Sequence, residues 1–198
     1  MSGSRRPPAA SEPLRPWTVE RSRYALHDRW LKVRADDCIT SDGAPVAPYY
    51  VLEYPDWVHV VALDQHDNLI LVEQYRHGLG GMSLELPAGA IDPTDAGPLD
   101  AAARELREET GFASCDLQHL LALSPNPATH SNRFHVVLAR GAELRHAPTD
   151  DPTERLNVVR VALKDVTPLI IGGKMLHSMH IASLWVALGM LKDAKGEP

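Results

Sequence analysis

The chain has few cysteines, no long apolar segment and no excess of positive charge. Its two cysteines, Cys38 and Cys115, form no Cys-x-x-Cys pattern. This argues against a zinc site or a disulfide framework and indicates reduced thiols and a cytoplasmic location. No apolar run approaches the ~20 residues that a membrane-spanning helix needs. The formal net charge of -6 gives the chain no general attraction for nucleic acid or an anionic membrane.

Residues 1–16 are rich in Pro, Ser and Ala and contain no apolar segment of the kind found in signal peptides. We therefore expect a disordered tail there. The 198 residues, of which 44% are hydrophobic, suffice for one substantial globular core with a small appended subdomain.

Residues 17–56 have the alternating, β-branched and aromatic pattern that is typical of strands. The strand-like segments run from Thr18 to Leu26, from Trp30 to Thr40 and from Val46 to Leu52, with a turn signal at residues 41–43. We predict a small N-terminal antiparallel sheet.

Residues 57–198 combine further strands with helices. The first helix is predicted from Pro98, which suits an N-terminal turn, to Thr110, before the C-terminal Gly111. An amphipathic helix is predicted from Ser178 to Leu191. The pattern indicates an α/β fold in which a mixed sheet has helices on both faces. Further strands are predicted over residues 58–63, 69–74, 82–86, 117–122, 134–139 and 155–163, and a short helix over 163–171.

Three carboxylates stand within one helical turn, at Glu105, Glu108 and Glu109. Positions i, i+3 and i+4 of a helix share a face, so the three side chains are expected to point the same way. At ~5.5 Å and an effective dielectric of about 20, each repulsive contact costs roughly 3 kcal/mol. A divalent cation bound between the carboxylates would replace this repulsion by attraction. Oxygen ligands in this number suit Mg²⁺, with Mn²⁺ as the alternative.

The segment from Glu85 to Phe112 reads ELPAGAIDPTDAGPLDAAARELREETGF and resembles the Nudix box. The resemblance is carried by Gly89 and by the run Arg104-Glu105-Leu106-Arg107-Glu108-Glu109-Thr110-Gly111. It implies a Nudix α/β/α sandwich that hydrolyses a nucleoside diphosphate linked to a second group. The middle of the box departs from the family pattern. Its spacing from Gly89 to Arg104 is one residue longer, and the first box Glu is absent, with Asp95 or Asp92 as candidates to replace it.

Other features resemble the ADP-ribose pyrophosphatase branch of that family. They are Gln74-Tyr75-Arg76, the loop Glu85-Leu86-Pro87-Ala88-Gly89, Pro127 beyond the box, and the acidic segment from Asp151 to Val159. Relatives use an N-terminal sheet to pair two subunits, so the resemblance implies a homodimer.

The resemblance also implies roles for individual residues. Glu105, Glu109 and the carbonyl of Ala88 would hold Mg²⁺, and Glu108 would be a further ligand or act through water. Arg104 would orient the acids by ion pairing. The carboxylate that activates the attacking water would be Glu154 or Asp151.

Substrate recognition is assigned by the same resemblance to Arg76 and Glu85. Trp57 and Tyr49 are candidates to stack on a base, although aromatic residues in β-rich segments usually belong to a core. The stretch Glu53-Tyr54-Pro55-Asp56 lacks an arginine that many ADP-ribose enzymes carry there. His177 and His180, like His130 and His135, are expected to be surface or capping residues because no third zinc ligand accompanies them.

The resulting prediction is Mg²⁺-dependent hydrolysis of a nucleoside diphosphate sugar, with ADP-ribose as the favoured substrate and AMP and ribose 5-phosphate as products. One alternative is another sugar nucleotide such as GDP-mannose. The other is a Nudix domain that binds a nucleotide without turnover.

Overall fold

The computed structural model describes residues 15–149 and 155–195. It divides the chain into two compact units, the first ending at Glu53 and the second beginning at Tyr54. Most of the predicted tail and both candidate water-activating acids, Asp151 and Glu154, lie outside the described residues.

The first unit is a three-stranded antiparallel sheet, as predicted. Its strands are β1 (Thr18–His27), β2 (Lys32–Ile39) and β3 (Pro45–Glu53), in the order β1-β2-β3. Arg34 on the central strand pairs with Asp36 and with Glu53, so charges on β2 and β3 are matched across the sheet. The chain reverses between β1 and β2 at Asp28, whose carboxylate accepts hydrogen bonds from the backbone N–H groups two and three residues later.

The second unit is built on one mixed sheet. Within the described residues this sheet has eight strands, and its longest path runs β11-β5-β4-β10-β8. Strand β10 is parallel to β4, whereas the other pairings are antiparallel. The elements are β4 (Trp57–Asp64), β5 (Asn68–Arg76), β6 (Gly81–Glu85), β7 (Ala88–Ala90), α1 (Pro98–Thr110), β8 (Phe112–Ala113), β9 (Asp116–Leu123), β10 (Phe134–Leu144), β11 (Asn157–Ala162), α2 (Leu163–Ile171) and α3 (Ser178–Lys195).

Both faces of this sheet are covered by helices. On β4, Val58 and Val60 belong to a buried cluster with Leu106 of α1, whereas Val61 belongs to a second cluster with Leu184 of α3. Alternate residues of a strand face opposite sides of a sheet, so the nearly continuous apolar run of β4 reflects burial on both sides. The predicted α/β/α sandwich is confirmed.

Helix α1 begins and ends where the sequence predicts. Pro98 stands in its first turn, and Gly111 closes it in a left-handed conformation, with φ of 74°. The N–H of Gly111 donates to the carbonyl of Arg107 at 2.9 Å. A β-carbon on Gly111 would lie 2.2 Å from the carbonyl oxygen of His146, so this position requires glycine for space as well as conformation.

The longest helix, α3, has 18 residues and packs on the sheet through Leu184 and Ala187. Among the described residues, no helix combines the length and the apolar character that crossing a membrane requires.

Candidate active site

Two carboxylates of α1 face the loop of residues 85–89, whose last two residues, Ala88 and Gly89, also begin strand β7. Oε2 of Glu109 accepts a hydrogen bond from the N–H of Ala88 at 3.0 Å. The carboxylate of Glu105, one turn earlier, lies so close to Gly89 that a β-carbon there would be 2.0 Å from Oε1. The helix and the loop therefore meet at a position where a side chain on residue 89 would displace a carboxylate.

Glu108 diverges from the other two acids. Its carboxylate lies 3.4 Å from Nη1 of Arg104 and 3.3 Å from Nη2 of Arg107, and 39% of the side chain is exposed. The expectation that all three acids point the same way is therefore only partly met: Glu105 and Glu109 converge on the loop, and Glu108 lies at the edge of the helix face.

Arg104 links the helix to the segment that follows the loop. It donates from Nε and Nη2 to the two oxygens of Asp95, at 3.0 and 2.9 Å, and from Nη2 to the carbonyl of Ala90 at 2.9 Å. Nη1 donates to Glu105 at 2.7 Å. Hydrogen bonds from Arg104 lower the pKa of Asp95, and the same pair raises the pKa of Arg104. Asp92 lies farther away, at 3.9 Å, so Asp95 provides the two-pronged contact.

The backbone of the loop is held from three directions. The N–H of Val60 on β4 donates to the carbonyl of Pro87 at 2.8 Å. The N–H of Leu86 donates to Nδ1 of His180 on α3 at 3.0 Å, and Glu109 accepts from Ala88 as described above. Strand β7, which the sequence analysis treated as loop, pairs with β4 and completes the attachment.

The donor set suits a hard divalent cation. Glu105 and Glu109 offer carboxylate oxygens on one side of the loop, and Ala88 offers a carbonyl. In the part of the chain that the structure describes, no three His, Cys, Asp or Glu side chains are arranged to hold a metal ion. Glu105 accepts a hydrogen bond from Arg104, and Glu109 accepts one from the N–H of Ala88. The fit therefore rests on two carboxylates and a loop carbonyl, with no side chain on Gly89 to obstruct them.

A cavity of about 610 Å³ opens beside this loop. Trp57, Arg76, Glu85 and Ala88, which the sequence analysis proposed as site residues, all line it. The structure thus brings the candidate substrate-binding residues of the second unit next to the loop that faces the α1 acids.

Arg76 and Glu85 form a close ion pair in the cavity wall. Arg76 donates from Nε and Nη2 to the two oxygens of Glu85, at 3.1 and 2.7 Å. Burial acts to raise the pKa of Glu85, but the hydrogen bonds and charge of Arg76 outweigh it, and the pKa lies below its ordinary value. The carboxylate stays ionised, and the fork of Arg76 is fixed toward the cavity.

Three histidines form a further part of the cavity wall that the sequence analysis did not assign to the site. His180 is 3% exposed, its ring lies 4.2 Å from those of His59 and His177, and all three line the cavity. Burial lowers the pKa of His59 to about 3 and that of His180 well below its usual value. The expectation of a surface or capping role is wrong for His180, because α3 packs this residue against the sheet. His59 could have been suspected from its place in the apolar run Val58-His59-Val60-Val61.

The remaining sequence candidates are Tyr49, which belongs to the first unit, and Asp151 and Glu154, which lie outside the described residues. Tyr49 is on β3 of the first unit, where its ring meets that of Trp17 edge to face at 5.8 Å. The ring of Trp57 lies 5.3 Å from that of Tyr54.

Two family models match this chain, together over residues 17–176. Residues 53–176 match the NUDIX domain, and residues 17–52 match the nucleoside diphosphate sugar hydrolase N-terminal domain. The chain belongs to the Nudix family. The prediction of a Nudix hydrolase, made from the box residues, is confirmed.

Individual relatives refine this assignment. An ADP-ribose pyrophosphatase of Mycobacterium tuberculosis is 35% identical over 120 residues, which cover 61% of this chain and 58% of that protein. A CMP-5'-(N-acetyl-N-hydroxy-3-aminopropyl)phosphonate hydrolase of Streptomyces rubellomurinus is 29% identical over 179 residues, covering 90% of this chain and 85% of that one. A crystal structure of an ADP compounds hydrolase superimposes with a TM-score of 0.83 at 27% identity, covering 93% of this Nudix chain and 98% of the other.

Proposed function

We propose that this Nudix hydrolase cleaves the diphosphate linkage of a nucleoside diphosphate sugar, with ADP-ribose as the favoured substrate and AMP and ribose 5-phosphate as products. The observation that carries the proposal is the placement of Glu105 and Glu109 against the Ala88–Gly89 loop. The same loop lines a cavity whose wall holds Arg76. The similarity to proteins named for ADP-ribose and ADP compounds supports the choice of substrate.

Glu105, Glu109 and the carbonyl of Ala88 would hold Mg²⁺, or Mn²⁺ in its place. Such an ion would screen the phosphate oxygens and lower the pKa of a bound water. Glu108, at the edge of the helix face, would act through water or as an additional ligand. Arg104 would keep Glu105 oriented through their 2.7 Å contact and would anchor the segment after the loop through Asp95.

Arg76 would bind a phosphate or ribose oxygen of the substrate, since its guanidinium lines the cavity while Glu85 fixes its orientation. Trp57 offers an apolar ring face in the same cavity for the base or the sugar. Tyr49 remains a candidate for stacking on the base. Water activation by a carboxylate requires hydrogen-bond reach to the attacking water, and Glu154 remains the first candidate for this base, with Asp151 second.

A substrate panel tests the proposal most economically. ADP-ribose, GDP-mannose and a CMP-linked phosphonate would each be incubated with Mg²⁺, and the released nucleoside monophosphate would be measured. We expect ADP-ribose to give the highest kcat/KM. Preferred turnover of another compound would replace the substrate assignment. Tight binding without turnover of any of them would favour a nucleotide-binding module and contradict hydrolysis.

We also propose that two copies of the chain pair through the first unit. Strand β1 is exposed along all ten of its residues and stands at the edge of its sheet, where an unpaired strand favours association. Trp17, Tyr24 and Trp30 are large exposed aromatics in this unit. Light scattering after size exclusion should give a dimer mass for the full chain and a monomer mass after removal of residues 18–54. A monomeric full-length chain would contradict the proposal.

A further inference from the structure

The backbone N–H of Leu86, just before the loop residues Ala88 and Gly89, donates a hydrogen bond to the side chain of His180. The distance from that nitrogen to Nδ1 is 3.0 Å. Leu86 is fully buried and His180 is 3% exposed, so water has little access to this contact. Because Nδ1 must present a lone pair, the neutral ring carries its proton on Nε2.

The other edge of the ring faces the ion pair of the cavity wall. Nε2 lies 3.8 Å from Oε2 of Glu85, the same oxygen that accepts the 2.7 Å hydrogen bond from Arg76. One buried ring on α3 therefore contacts both the carboxylate of Glu85, the last residue of β6, and the backbone N–H of Leu86.

Helix α3 is attached to the sheet independently of this contact. Oγ of Ser183 donates to the carbonyl of Met179 at 2.9 Å, so its oxygen accepts the Nδ1 proton of His59 at 2.9 Å. The first turns of α3 thus carry two separate polar contacts to the sheet. One holds His59 on β4, and the other holds Leu86 next to the loop.

We propose that His180 is a positioning residue that fixes the Ala88–Gly89 loop against Glu105 and Glu109 by accepting the N–H of Leu86. Only Pro87 separates Leu86 from Ala88, and the ring of proline restricts the backbone between them. The carbonyl of Pro87 accepts a hydrogen bond from Val60, so the contacts at Leu86 and Pro87 fix the backbone that leads into Ala88. The proposal rests on the proposed function in that Ala88 is taken as a cation ligand.

Two substitutions, each of which imitates one nitrogen of the ring, distinguish the role of the acceptor Nδ1 from that of the rest of His180. In His180→Asn the amide oxygen can occupy the position of Nδ1 and accept from Leu86. In His180→Gln the amide reaches the position of Nε2 beside Glu85, but no acceptor remains at the δ position. Ser183→Ala is the matched control, since it removes the other polar contact of α3 and leaves the Leu86 contact intact.

Hydrogen exchange of the Leu86 amide, followed by NMR on the full-length protein without metal, is the first measurement. We expect wild type, His180→Asn and Ser183→Ala to protect this amide, and His180→Gln to expose it with at least about tenfold faster exchange. Mn²⁺ affinity should then fall roughly 10- to 100-fold in His180→Gln alone, in the range typical of residues that support a ligand.

The outcomes are distinct from those of the substrate panel. Equal Leu86 exchange and equal Mn²⁺ affinity in the Asn and Gln variants would overturn the positioning role. Exchange in Ser183→Ala as fast as in His180→Gln would also overturn it, because helix packing and not the acceptor would then control the loop. Lack of ADP-ribose turnover by wild type would instead contradict the proposed function, while leaving the exchange result interpretable.

Discussion

Oε1 of Glu105 lies 2.0 Å from the point that a β-carbon on Gly89 would occupy. This contact joins the helix that carries the acids to the loop that meets them. Gly89 is therefore needed because there is no room for a side chain, whereas Gly111 is needed both for room and for its left-handed conformation.

Gly89→Ala should therefore damage the cation site while preserving the fold. The added methyl group would push the flexible carboxylate of Glu105 away from the loop, because a 2.0 Å contact is impossible. We expect kcat and Mn²⁺ affinity to fall roughly 10- to 100-fold. Gly189→Ala on α3 is the control, since nothing lies within 4 Å of its would-be β-carbon. Unchanged Mn²⁺ affinity in Gly89→Ala would show that Glu105 is not a ligand.

Loss of the Asp95 carboxylate should loosen the segment between the loop and α1. Asp95→Asn keeps the shape of the side chain but removes the charge that Arg104 contacts with two nitrogens. Arg104→Lys should have a similar effect, because lysine keeps the positive charge but cannot contact both oxygens of Asp95 at once. We expect kcat to fall in both variants by about tenfold or more. A double-mutant cycle would measure the coupling, and additive effects of the two changes would contradict a direct pairing.

Arg76→Ala should weaken substrate binding and change the titration of Glu85. With the guanidinium removed, burial would be opposed only by the hydrogen bond from Ser83 and the charge of His177, so the pKa of the Glu85 carboxyl should rise. We expect KM for ADP-ribose to rise roughly tenfold or more, since a charged hydrogen bond to the substrate is lost. Isotope-edited infrared or NMR titration would follow the carboxyl, and an unchanged KM would argue against a role in binding.

The buried imidazole of His59 should make stability fall as the pH is lowered from neutrality. Burial holds its pKa near 3, whereas an exposed histidine has a pKa of about 6.5. Between these values the unfolded chain binds more protons than the folded one, so the free energy of unfolding decreases as pH falls, by up to about 1.4 kcal/mol per pH unit. Urea denaturation at pH 7 and pH 5 should show this decrease.

His59→Leu provides the comparison, because leucine cannot bind a proton. Its free energy of unfolding should depend less steeply on pH between 7 and 5 than that of the wild type. His177 and His180, whose pKa values burial also lowers, would contribute the slope that remains. Identical slopes in the two proteins would show that His59 does not titrate as its burial requires.

The parts of the fold with strong local signals were predictable from the sequence. Helix α1 could be bounded because Pro98 and Gly111 have specific preferences at helix ends. Strand β4 could be recognised from its apolar run. Strand β7 was not, because Ala88, Gly89 and Ala90 have little strand propensity, and pairing with β4 alone makes them a strand.

The candidate site was likewise predictable from the sequence only where its signals are local. The box residues identify α1 and its loop, and they leave the replacement of the missing glutamate open between Asp95 and Asp92. The choice of Asp95 depends on how the residues between the loop and α1 fold back toward Arg104. The place of His180 depends on the packing of α3, which brings residues 94 positions apart into contact and leaves no local pattern.

The most direct test of the cation site is ADP-ribose hydrolysis by Glu109→Gln in the presence of Mg²⁺. The amide oxygen can still accept the N–H of Ala88, so the loop contact survives while the negative charge is lost. Glu143→Gln, near the C-terminal end of β10 where the half-buried carboxylate pairs with Arg145, controls for the loss of one charge elsewhere. The account predicts that Glu109→Gln loses at least about 10²-fold in kcat and that Glu143→Gln retains wild-type activity. Full activity in Glu109→Gln would contradict the assignment of the α1 acids as the cation site.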